Sequence, residues 1–125
     1  MKAQLSFEFL YAVVVVLIIS LLISVAVGRQ FEDMRRSKEL FLVNELASGV
    51  RDEFFIATEA EDGYQRTFAI PHNISGANYN LSLINTSLVF QLENIEYVLR
   101  VPSSKGAIAK GANTIRKSGG VVYLN

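Results

Sequence analysis

The chain has 125 residues, twelve basic and twelve acidic side chains, one histidine and no cysteine. That length holds one small domain plus an anchor, and zero net charge points to neither nucleic acid nor an acidic surface as partner. The absence of cysteine excludes disulfide frameworks, thiolate metal sites and cysteine nucleophiles together.

The first element is apolar. Leu10 to Val27 reads LYAVVVVLIISLLISVAV, eighteen residues without a charge, bounded by Gly28-Arg29. As a helix it spans about 27 Å, close to the thickness of a hydrocarbon core. Its β-branched residues disfavour helix in water, but lipid demands internally satisfied backbone and imposes the helix. A cleaved secretory signal is the competing reading. That signal has a basic start, a shorter apolar core and a small-residue cleavage site after it, which Ser24-Val25-Ala26 imitates poorly. A retained anchor is the expectation. Counting Arg29, Arg35, Arg36 and Lys38 after the segment would place the rest of the chain inside. Three glycosylation acceptor patterns within fifteen residues, beginning at Asn73, Asn80 and Asn85, argue for the outside.

Residues 29–62 keep a helical pattern, with no proline and Gly49 the one interior glycine. Leu40, Val43, Leu46, Ala47, Val50, Phe54 and Ala57 recur at steps of three and four, the stripe of an amphipathic helix. A second apolar set, Phe31, Met34, Phe41, Leu42, Phe55 and Ile56, falls on other faces. A helix buried between a head domain and neighbouring helices would need both sets. Joined to the anchor, the helix exceeds fifty residues, on the order of 80 Å. Gly28 and Gly49 are the expected places for bending or unwinding, and Gly63 the expected stop.

Beyond Gly63 the period becomes two. Thr67–Ile70 ends at Pro71, and alternating runs centre on Leu81, Phe90 and Tyr97, the last ending at Pro102. Thr114–Lys117 and Val121–Leu124 flank Ser118-Gly119-Gly120, a hairpin signal. Asn85-Thr86 and Glu93-Asn94 suit short turns. The expected head is an antiparallel meander of five or six strands with one apolar face, and Asn80 falls on its polar side. The fold class is α+β: a long N-terminal helix followed by a small antiparallel β head over residues 63–125.

Charge is segregated along this layout. Residues 29–62 carry five basic and nine acidic side chains; residues 63–125 carry six basic and two acidic. Opposite-signed halves suit ordinary solvated faces, or complementarity between the halves or between neighbouring copies.

No pattern in the chain spells a catalytic or metal site. His72 stands alone in a Pro-His-Asn turn. Glu59, Glu61 and Asp62 lack the spacing and glycine of a calcium loop. Lys105-Gly106 and Lys110-Gly111 lack the phosphate-loop pattern. The sequence therefore predicts no enzyme activity, no catalytic residue, no metal and no cofactor.

The N terminus carries the one specific motif. Lys2-Ala3 is followed by Gln4, Ser6, Glu8 and Phe9 and then by the apolar run. This resembles the archaeal class III signal peptide, a basic and a small residue before the cleavage point and Q-x-S-x-E-[F/Y] after it. Proteins with that signal resemble type IV pilins. The resemblance implies a leader of residues 1–3 cut between Ala3 and Gln4 by a prepilin peptidase. It also implies a helix over residues 4–28 that is first a membrane anchor and later a filament core, continued over 29–62, with a glycosylated β head outside. The implied partners are identical or related pilin subunits, the peptidase and, before assembly, the membrane; no nucleic acid is among them. Glu8 needs a partner in any case, since a carboxylate in hydrocarbon costs about 3 kcal/mol. It either reaches the headgroup level or pairs with an amine, and the resemblance implies the new amino terminus of an adjacent subunit. The alternative function is a monomeric membrane-anchored extracellular binding domain that does not polymerise.

Overall fold

The computed structural model describes residues 2–125, with side chains from Gln4 onward. Of the expected leader, Met1 lies outside the described residues, as do the side chains of Lys2 and Ala3. One helix, α1, runs Lys2–Glu59, 58 residues long. Two compact units divide the chain, Met1–Lys38 and Glu39–Asn125. In the first unit nearly every described side chain is exposed.

In the second unit α1 is followed by nine strands: β1 (Gln65–Ile70), β2 (Asn73–Ile74), β3 (Ala77–Asn78), β4 (Asn80–Ile84), β5 (Ser87–Leu92), β6 (Ile95–Arg100), β7 (Lys105–Gly106), β8 (Gly111–Ser118) and β9 (Val121–Leu124). The α+β class holds, but the strands form three sheets instead of one meander. A four-stranded sheet has the order β1-β8-β9-β7, β2 and β3 form a small hairpin, and β4-β5-β6 form the one true meander. The four-stranded sheet is mixed, because Lys105 and Gly106 run parallel to Tyr123 and Leu124. Alternation reveals a strand and its buried face but not its partner. Here β1 pairs with β8, Gln65 opposite Arg116 and Ile70 opposite Gly111, across the whole intervening meander.

The core sits against the C-terminal part of α1. Val43, Ala47, Val50, Phe54 and Ala57 are buried with Ile70, Leu88, Phe90, Ile115, Val122 and Leu124. Leu46 is half-buried and Leu40 exposed, so the expected stripe is correct at its centre and frayed at its start. Neither Gly28 nor Gly49 unwinds the helix, and a Cβ added at either would meet nothing within 4 Å. A glycine inside a helix costs only about 1 kcal/mol, which the surrounding turns absorb.

The helix stops at Glu59, before the expected Asp62, and the chain turns through Gly63 at φ 97°. The last turn holds no basic residue of its own. Its cation comes from β8: Lys117 Nζ donates to Thr58 O at 2.5 Å and to Ala60 O at 2.8 Å. Those carbonyls would otherwise lack partners, and the ammonium also opposes the negative end of the helix dipole. Asp62 Oδ1 then accepts from Gly120 N at 2.9 Å, tying the helix exit to the β8–β9 turn. Gly119 and Gly120, both at positive φ, form that turn between Ser118 and Val121.

Two further residues hold the C-terminal strands. Asn113 is 1% exposed; it donates to Ala109 O and Gly111 O and accepts from Ala109 N and Asn125 Nδ2. Gly106 sits at φ 113°, and a Cβ there would lie 2.0 Å from Leu124 O. Asn113→Ala is expected to lower stability by about 2–3 kcal/mol, since buried partners lose their bonds. Gly106→Ala should destabilise through clash and backbone strain, whereas Gly49→Ala should stabilise by up to about 1 kcal/mol. Chemical denaturation of the detergent-solubilised chain measures all three.

Candidate assembly surface

The apolar segment of α1 has no cover of its own. An eighteen-residue stretch reaches a mean hydropathy of 3.0 with none of it buried, and α1 is the one helix among the described residues long and apolar enough to cross a membrane. Leu17, Leu21 and Leu22 expose more than 60% of their surface. Apolar area on this scale requires lipid or other chains around it. Its polar groups are compatible with either setting. Ser24 Oγ donates to Ser20 O at 2.9 Å, so that hydroxyl is satisfied within the helix.

Glu8 lies on α1 between Phe7 and Phe9, which are 77% and 73% exposed. Gln4, four residues earlier, falls on the same helical face. The carboxylate is exposed and can meet a group brought by another chain. The small residue of the expected cleavage site, Ala3, is helical, and its side chain lies outside the described residues.

The three acceptor asparagines are all exposed. Asn80 and Asn85 share one hairpin: Asn80 stands opposite Gln91 on β4, and Asn85 starts the β4–β5 turn at φ 56°. Asn73 lies apart on β2, opposite Asn78. Each position leaves room for a bulky substituent outside the core, as glycosylation requires.

Sequence reasoning missed a groove of about 490 Å³ beside α1. Leu42, Leu46, Gly49 and Val50 form one wall, with Phe68 of β1 and Ile74 of β2 opposite. Glu53 also lines it, with Oε1 held 3.3 Å from Arg66 and Oε2 buried without a hydrogen bond. Half of this signal was present in the sequence, because Gly49 interrupts an otherwise bulky helix face. The other half needed the pairing of β1 and the placement of β2, which no local pattern specifies. The groove offers apolar contact and one anchored carboxylate, an arrangement suited to reception of a side chain more than to bond chemistry.

Burial pushes the Tyr79 phenol up from its ordinary pKa. Its hydroxyl donates to Pro71 O, its ring stacks on Phe90 at 6.0 Å, and Lys110 Nζ lies 4.3 Å from the ring centre. Among the described residues no three His, Cys, Asp or Glu side chains are grouped to hold a metal ion.

The second apolar set on α1 stays largely uncovered. Phe31 and Met34 in the first unit are exposed, and in the second unit Phe41, Phe55 and Ile56 are 65%, 47% and 45% exposed. Phe54, one residue from Phe55, is 0% exposed. No family model, curated protein or solved structure matches the chain.

The two adjacent phenylalanines provide a test. Phe54→Ala is expected to destabilise the head by about 3–5 kcal/mol, the cost of a large core cavity. Phe55→Ala should change the stability of the dispersed chain by no more than about 0.5 kcal/mol. Denaturation in detergent, where copies are separated, distinguishes the core residue from the outward-facing one.

Proposed function

We propose that the chain is a structural subunit of an archaeal type IV pilus-like surface filament, assembled through its apolar N-terminal helix after leader cleavage. The observation that carries this reading is the pairing of two features in α1. One is the motif Lys2-Ala3-Gln4-x-Ser6-x-Glu8-Phe9; the other is an eighteen-residue apolar stretch of the same helix, none of it buried within the chain. In the membrane lipid covers that surface. In a filament the helices of neighbouring copies cover it, packing ridges into grooves as in a bundle.

Glu8 has a defined part in the proposal. Cleavage between Ala3 and Gln4 creates an α-amino group, and that group on an adjacent subunit neutralises the carboxylate while setting the axial register. Two charges buried together in an apolar medium are stable only when paired, so wrong registers are penalised. The exposed Asn73, Asn80 and Asn85 support a head that faces outside and bears glycans. The precursor is then a single-pass membrane protein and the product an extracellular filament at the cell surface, with adhesion as its suggested use.

Two measurements test the reading. Material sheared from cells should contain filaments of this chain, with an N-terminal sequence beginning at Gln4. Glu8→Gln should leave processing and membrane association intact while filament yield falls at least about tenfold. Normal filaments from Glu8→Gln would falsify the pairing. A chain found only in membranes as separate copies would favour the monomeric surface domain instead.

A further inference from the structure

Phe41, Glu45, Ser48, Asp52, Phe55 and Glu59 follow one another at alternating steps of four and three, so they form a single line along α1. The line lies across the helix from the buried Val43, Ala47, Val50, Phe54 and Ala57; apart from Glu45, which also edges the groove beside β1 and β2, it faces away from the sheets. It holds three carboxylates, two exposed phenylalanines and no cation. Arg51 approaches from the flank, with Nε 3.7 Å from Asp52 Oδ1, but both side chains are well exposed and the pair is screened.

The outer face of the four-stranded sheet has the opposite character. Pairing places Gln65, Arg116, Tyr123 and Lys105 in one cross-strand row. The Arg116 guanidinium lies 5.5 Å from the Tyr123 ring centre, and Thr67 and Thr114 stand side by side in the adjacent row. No acidic residue occupies any outward position on these four strands. The alternate positions point to α1, as the Arg66–Glu53 pair and the Lys117 bonds to the helix end require.

We infer that these two faces are the two sides of one contact between copies of the chain. The acidic, phenylalanine-bearing line of α1 in one copy rests on the Arg116–Tyr123–Lys105 row of the next. Each line meeting its own equivalent would set carboxylate against carboxylate, so a symmetric dimer is disfavoured. Because the faces lie on opposite sides of the head, every contact leaves one of each unused, which makes the association heterologous and open to propagation. Aromatic contact with Tyr123 gives the phenylalanines a partner.

The size of the face sets its role. The four strands, six, eight, four and two residues long and about 4.8 Å apart, present roughly 300 Å². A standard interface buries about 800 Å² per partner, so this contact does not hold free copies together alone. It acts between copies already gathered by their apolar helices, where effective concentration is high. The inference thus rests on the filament reading and adds the partner face and its polarity.

Filaments sheared from cells expressing Asp52→Lys, Arg116→Glu or both variants together test it. Each single reversal should lower filament yield at least about fivefold, and the double reversal should restore it to within about twofold. In addition, Asp52→Cys with Arg116→Cys in this cysteine-free chain should give a disulfide-linked ladder from oxidised filaments, with no ladder from either cysteine alone. If the unmodified chain forms filaments but the single reversals do so equally well, or the double fails to recover, the contact is wrong and the filament reading stands. Intact filaments of the cysteine pair that yield only monomer on oxidation overturn it likewise. An unmodified chain that forms no filament overturns both.

Discussion

The head depends on one apolar stripe that it does not own outright. Val43, Ala47, Val50, Phe54 and Ala57 belong to α1, yet they form the surface on which the sheets condense. No sheet exceeds four strands, and the smallest has two. Sheets of that size cannot bury an apolar face against themselves, so a helix must close the core. Ala47, Phe54 and Ala57 are wholly buried, and Phe54 is among the largest side chains so enclosed. Polar ties then fix the position: Lys117 at the helix end, Asp62 at the β8–β9 turn, Arg66 on Glu53, and Tyr97 Oη with Asn44 Oδ1 at 2.5 Å.

This arrangement uses roughly one side of the helix and leaves the rest. Phe41, Phe55 and Ile56 are exposed beside charged neighbours, a costly pattern for a helix whose work ended with the head. In the N-terminal unit the same economy is more extreme, since the apolar segment has no cover at all. Both observations accord with the proposed assembly, in which copies of the chain would cover these surfaces. In that proposal the segregation of charge, acidic on α1 and basic on the strands, would supply direction to the contacts, and apolar area most of the affinity.

Much of this was legible without coordinates. Strands β1, β4, β5, β6, β8 and β9 are expected, with ends at Pro71, Asn85, Glu93-Asn94, Pro102 and the paired glycines, but β1 starts at Gln65 and β8 at Gly111, two and three residues before the expected Thr67 and Thr114. The core stripe follows from steps of three and four. Short pairings escaped: β2, β3 and β7 have two residues each, too few to show any period. The groove beside Gly49 also escaped, because one wall is local and the other is brought from β1 and β2. The bonding of Asn113 was hidden too, since Ala109, Gly111 and Asn125 read only as small or polar residues.

The sequence by itself determined the division into apolar helix, amphipathic helix and strand-rich head, because those depend on local periodicity and on the length of an uncharged run. It also determined which face of β4, β5 and β6 turns inward. Only the tertiary structure decided which strands become neighbours, that β7 runs parallel to β9, and that a lysine from β8 terminates α1. Those choices depend on contacts between residues far apart in the chain, whose free energies appear only when several elements are in place. Lys117 lies 59 positions from the carbonyl of Thr58 that it caps, and no pattern along the chain links the two.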